Sequence, residues 1–206
     1  NHALYKAPLF ILAGAIGHVA SRDLAELKGF FWRDRRAKIM TIILLLAAYG
    51  LAAGPFTISF SAKEMFFYQI YHAKEALGSW GWPLVIAAVA TGMFNVAIFI
   101  RLATTMLSRR GAAEAAETQH GHDSGHGGGP DYAPETGMWP AFLWIPGALI
   151  VAFQFIGGII PGAYGALFGW LEPDRSLNYF TSLDAFPMTW DLLAHPGFPL
   201  YMSLFA

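Results

Sequence analysis

Apolar residues fall along this chain in long runs separated by short polar stretches, and the runs have the length of membrane spans rather than of soluble helices. Residues 3–19 make about one span. Residues 39–72 form a second run, IMTIILLLAAYGLAAGPFTISFSAKEMFFYQIYH, followed by runs over 83–107 and 139–168 and the start of another at 197–206. As one straight helix, 39–72 would be roughly 50 Å long at 1.5 Å per residue, well beyond a hydrocarbon core of about 30 Å. The run therefore requires a break, and Gly54-Pro55 supplies it: proline lacks the N–H and glycine tolerates non-helical angles. The pattern predicts an all-α membrane protein, a polytopic transmembrane helix bundle with a discontinuous helix broken near 54–55.

The polar stretches set a topology. Residues 21–38 carry Arg22, Lys28, Arg33, Arg35, Arg36 and Lys38 against three carboxylates, and 83–107 ends in Arg101, Arg109 and Arg110. Under the positive-inside rule both connections are cytoplasmic, and Trp80 and Trp82 belong to an aromatic belt on the outer side. Residues 108–137 form a flexible cytoplasmic loop containing His120, His122, Asp123 and His126. Those side chains could bind a metal, but the surrounding glycines leave them unorganised, and a solvated linker is the expectation.

Composition narrows the class. With 55% hydrophobic and 13% charged residues the chain belongs in a bilayer, and a formal net charge of −1 gives no basis for a nucleic-acid partner. The absence of cysteine excludes disulfides, thiolate metal sites and a cysteine nucleophile. There is no nucleotide-binding glycine loop, hydrolase elbow or HExxH, so nothing suggests soluble-enzyme chemistry, and no cofactor or metal is expected. Neither end has the character of a terminus, and the chain reads as part of a longer polypeptide.

Candidate chemistry rests on a few polar groups inside apolar runs. Lys63 lies just past the break, and an ionisable residue beside irregular membrane backbone is a functional-site hypothesis, here ion or proton transfer. The alternative is a lysine that snorkels to the interface, although Phe66, Phe67, Tyr68, Ile70 and Tyr71 follow it. His2 and Lys6, four residues apart, share a helical face that looks either into the bundle or onto an interface. Gly14 and Gly17 would permit close helix packing, and Gln154 is the one internal polar side chain of 139–168.

Three motifs in order carry a family resemblance. NHALYKAPLFILAGAIGH is similar to a His-x-x-x-Lys helix, SRDLAELKGF to the loop that follows it, and AAGPFTISFSAKEMFF to a Gly-Pro-Pro…Ser-Lys-Glu broken helix. All three resemble the proton-translocating membrane subunits shared by Mrp-type sodium/proton antiporters and respiratory complex I. MWPAFLWIPGALIVAFQFIGG and LAHPGFPLYMSL look most like the large A-type component of the Mrp antiporter. The chain departs from the pattern at Pro8, at the single Pro55, and at Ala62 between serine and lysine.

The resemblance implies a fragment of an antiporter-like fold in a multi-pass protein of the cell inner (plasma) membrane, with other membrane subunits as partners and protons and Na+ as cargo. Lys63 would be the terminal relay lysine, with His2 and Lys6 the connection toward it. Glu64, next along the helix, is expected to point elsewhere, leaving the carboxylate partner of Lys63 on another segment. The alternative is a pumping arm of a complex I-like oxidoreductase or membrane-bound hydrogenase.

Overall fold

The computed structural model describes residues 2–20, 23–73, 78–109 and 141–160. The histidine-rich segment, Trp139, and everything from 161 onward lie outside the described residues. Five α-helices make up the described chain: α1 (His2–Val19), α2 (Arg35–Leu51), α3 (Ile58–Ala73), α4 (Gly81–Leu107) and α5 (Ala141–Ile159), with no strand among the described residues. Among these, α4 is the one helix long and apolar enough to cross a membrane by length and composition, and the apolar stretch Trp144–Ile159 is shorter. At 27 residues α4 is about 40 Å long.

The helices pack α1 against α5 and α2, α2 against α4, and α3 against α5 and α4. Leu12, Ala15 and Ile16 of α1 meet Met40 and Leu44 of α2 and Met106 of α4 in the main core. A smaller apolar contact joins Phe67 of α3 to Val85 of α4. Much of the remaining surface is apolar. On α4, Ile86, Met93, Phe94, Ile98 and Ile100 are all exposed. So continuous an apolar surface is unfavourable in water and costs nothing against lipid or a neighbouring protein.

Helix α2 opens at Arg35, four residues ahead of the apolar run. Asp34 caps it, its carboxylate accepting the Ala37 N–H at 2.6 Å, and this places three basic side chains in the first turns. The preceding loop is pinned to the end of α4. Gly29, at φ 72°, donates its N–H to Thr105 O at 3.0 Å, Trp32 Nε1 donates to Leu107 O at 3.1 Å, and the Arg109 guanidinium lies 4.8 Å from the Trp32 ring centroid. The loop thus satisfies carbonyls that α4 leaves open at its C-terminus. It also places the 23–34 connection and the exit of α4 at one end of the bundle.

One expectation about packing changes. Pro8 lies inside α1 and is fully buried. Gly14 is exposed, and a methyl added there would meet nothing. The close approach of α1 and α5 comes instead from Gly147, where an added methyl would stand 3.3 Å from Leu12 Cγ. Spacing within α1 could not show that the contact glycine belongs to the partner helix.

Candidate functional site

The centre of the candidate site is the connection 52–57 between α2 and α3. Helix α2 ends in a Schellman arrangement: Ala53 N–H donates to Gly50 O at 3.1 Å and Gly54 N–H to Tyr49 O at 3.0 Å. The left-handed position of that motif is occupied by Ala53, at φ 54°, and a second left-handed residue follows at Phe56, φ 66°. Each costs an L-residue about 1–2 kcal/mol relative to a right-handed conformation.

Gly54 therefore matters for a different reason than the angles expected of it. A side chain there would overlap the Tyr49 ring, whose hydroxyl donates to Pro55 O at 3.3 Å. The Tyr49 ring in turn stacks on Phe155 of α5, at 6.2 Å between centroids and 3° between planes.

Thr57 starts α3. Its hydroxyl donates to Gly54 O at 2.7 Å and accepts the Phe60 N–H at 3.2 Å, which satisfies one of the donors a helix N-terminus leaves open. From there, Thr57, Phe60, Ser61, Glu64 and Phe67 are buried at the spacing of one helical face, while Phe66 and Tyr68 are exposed. This helix turns Thr57, Ser61 and Glu64 inward while Phe66 and Tyr68 face outward, unlike a helix in water.

Glu64 is 2% exposed, and Lys63 beside it is half-buried, its Nζ 6.0 Å from the Phe67 ring centroid. The sequence reading set Glu64 aside as a partner of Lys63 and did not anticipate its burial. Three polar residues at i, i+4 and i+7 (Thr57, Ser61, Glu64) form an inward stripe. That spacing was present in the sequence and was the signal for Glu64.

Helix α5 covers this junction. Gln154 is fully buried and donates from Nε2 to Ser59 Oγ at 3.2 Å. Its amide lies against Gly50, where a methyl group would collide with it, and Gly158 similarly admits the Phe56 carbonyl and Thr57.

The other two candidate residues are in a different setting. His2 and Lys6 are exposed at the start of α1, and His2 Nδ1 is 2.8 Å from the Tyr5 hydroxyl. Helix α1 packs on α2 and α5, and α3 packs on α5, α4 and α2, so the two helices meet chiefly through shared neighbours. No group of three or more metal-ligating side chains occurs among the described residues.

Comparison with known proteins gives this geometry a family. Residues 1–105 match the family model described as "NADH:quinone oxidoreductase/Mrp antiporter, TM". The chain is 38% identical over 97 residues to antiporter subunit mnhA2 of Staphylococcus haemolyticus, covering 45% of this chain and 11% of that protein. It is 32% identical over 125 residues to the A/B component of a K(+)/H(+) antiporter from Rhizobium meliloti, 58% of this chain and 12% of that one. Against F(420)H(2) dehydrogenase subunit L of Methanosarcina mazei it is 28% identical over 192 residues, 89% of this chain and 24% of the relative. The chain thus spans a tenth to a quarter of the length of these curated relatives, and no solved structure matches it. With half its length matched by the family model, the chain belongs to the NADH:quinone oxidoreductase/Mrp antiporter membrane family.

Proposed function

We propose that this chain is part of the large proton-translocating subunit of a multisubunit monovalent cation (Na+)/proton antiporter. In this reading it is a multi-pass protein of the cell inner (plasma) membrane, assembled with other membrane subunits, and α2 and α3 are two halves of one broken transmembrane helix. The observation that carries the reading is the placement of Lys63 and buried Glu64 on a helix whose inward polar stripe begins at the break. Names of relatives add support: the Staphylococcus haemolyticus and Rhizobium meliloti proteins are both antiporter components.

A lysine suits such a relay because its ammonium can give up one proton and regain it, its charge state following the charges around it. Ser61 and Glu64, three residues apart, line the same face and offer a hydroxyl and a carboxylate to a proton moving along α3. Left-handed backbone at 53 and 56 ends the α2 ladder and lets α3 start in a new direction. Helix termini inside a bundle present open carbonyls and N–H groups, and transporters use such ends to hold ions. His2 and Lys6 would extend the path along the α1 side of the bundle.

The match to the F(420)H(2) dehydrogenase protein, which runs along 89% of this chain, favours a second reading in which the same relay is driven by electron transfer in a redox complex. Both readings use Lys63 in the same way. The test is Lys63→Ala and Lys63→Arg in the full-length complex, with pH-gradient dissipation measured in membrane vesicles and assembly checked alongside. Both variants should assemble and fail to transport, since guanidinium holds its proton under nearly all protein conditions. Near-normal transport by the arginine variant would sink the assignment. In the wild-type complex, dependence of proton movement on Na+, as against an electron donor, separates the two readings.

A further inference from the structure

Gln154 has no part in the proposed relay, yet it is fully buried and lies where three helices meet. We propose that Gln154 is a positioning residue for Lys63: by hydrogen-bonding Ser59, it fixes the rotation of the first turns of α3 and thereby the direction in which the Lys63 ammonium is presented. The inference rests on the relay reading of Lys63.

Ser59 and Lys63 are at i and i+4 of α3, so they occupy one face with Cβ atoms about 5–6 Å apart. A side chain on a helix leans over the turn before it, and the Lys63 stem therefore runs back toward the Ser59 turn. Tying Ser59 to a neighbouring helix limits how far that turn can rotate. The first turn of α3 follows a connection with two strained residues, and its cap hydrogen bond is local to that turn.

Helix α5 holds this region at three points. Gln154 Nε2 donates to Ser59 Oγ at 3.2 Å, the same amide rests on Gly50 in the last turn of α2, and Gly158 admits the Phe56 carbonyl one turn further along. Residues 50, 154 and 158 form a set: without glycine at 50 the amide could not reach Ser59, and without glycine at 158 the connection could not sit this close to α5. Phe155, between them, stacks on Tyr49. Gln154 is the polar member of the set, and its contact has a donor direction, which apolar contacts lack. An apolar side chain of the same length would fill the space without that direction, and the first turn of α3 would be held less tightly.

The neighbouring charges make the readout specific. Helix α5 carries no ionisable side chain, α4 carries only Arg101, which stays charged, and the titratable group of α2 at this end is Tyr49. The ionisable side chains nearest Ser59 on α3 itself are Lys63 and Glu64, with His72 at the far end of the helix. A change in the pH profile on altering Gln154 would therefore report the setting of that pair.

The experiment compares Gln154→Met, Ser59→Ala and the double variant with wild type and Lys63→Ala. All are made in the full-length protein in its assembled complex, with proton transport in vesicles measured across a range of pH and normalised to assembled protein. Each single variant should shift the midpoint of the profile by about 0.5–1 pH unit, the size expected when one neutral hydrogen bond ceases to favour one protonation state. Transport at the optimum should fall about three- to tenfold, and the double variant should be no worse than either single one, because both remove the same bond. A normally assembled Gln154→Met with the wild-type profile overturns the proposal. If methionine prevents assembly, Ser59→Ala decides the matter, since it only shortens a buried side chain by a hydroxyl; an unchanged profile there, or additive losses in the double variant, overturns the proposal equally. Full transport by Lys63→Ala would instead remove the relay reading on which the inference rests.

Discussion

Two lysines of this chain sit near the N-terminal ends of apolar helices, each with aromatic neighbours, and the structure treats them in opposite ways. Lys63 is half-buried beside a buried carboxylate, on a helix whose polar face turns inward, under a partner helix that donates a hydrogen bond. Lys6 is exposed on α1, next to a histidine occupied with its own Tyr5. The difference lies in what covers each helix. Helix α3 begins at a break that two glycines and a glutamine bring close to α5, whereas the first turns of α1 present His2, Ala3 and Lys6 outward. An ammonium that water can reach is easily replaced, and a half-buried one beside a buried carboxylate is less so.

The largest effect that could break this comparison is functional. Lys63→Ala should bring proton-coupled transport to background in vesicles, while Lys6→Ala leaves a measurable part of it, because solvent can substitute for an exposed charge. Equal losses would mean that the two positions are equivalent in the full protein.

Next in size is Gly158→Ala. The added methyl would overlap the Phe56 carbonyl, which cannot swing away as a side chain would, and overpacking of this kind costs about 1–3 kcal/mol. A lowered melting temperature of the purified complex, with Gly14→Ala unchanged or raised because that position is open and alanine favours a helix, would sharpen the contrast between α5 and the outer face of α1.

Ala53→Gly goes in the opposite direction. Glycine relieves the left-handed conformation that closes α2, so the variant should be more stable by about 0.5–1 kcal/mol despite glycine's larger unfolded-state freedom. A destabilised Ala53→Gly would show that the connection does not hold this geometry in the assembled protein. The smallest expected change is at the other lysine's end: Tyr5→Phe removes an exposed hydrogen bond to His2 and should alter stability by less than about 0.5 kcal/mol.

Much of this was legible in the residues. Gly54-Pro55 marked the interruption of an apolar run too long for one span, and the His-x-x-x-Lys, loop and Ser-x-Lys-Glu motifs indicated the family whose model matches residues 1–105. Lys63 stood out because a charge inside such a run is rarely accidental. Glu64 did not, since a residue adjacent in sequence was assumed to point away, although its spacing from Thr57 and Ser61 marked it as inward-facing.

Gln154 was visible as a lone polar residue in an apolar helix, but its partner was not. Ser59 is 95 residues away, and the contact depends on Gly50 being free of a side chain on a third helix. The sequence by itself determined that the chain is helical, apolar, interrupted near 54–55 and provided with a lysine just beyond. Local chemistry is enough for that: hydropathy sets the runs, proline and glycine end them, and charge is costly inside them. Only the tertiary structure decided that Ala53 and Phe56, rather than Gly54, adopt left-handed angles, that Gly147 rather than Gly14 brings α1 to α5, and that Glu64 is buried while Lys6 is exposed. Each of those depends on which surface of one helix meets another, and that choice is made by contacts between segments far apart in the chain.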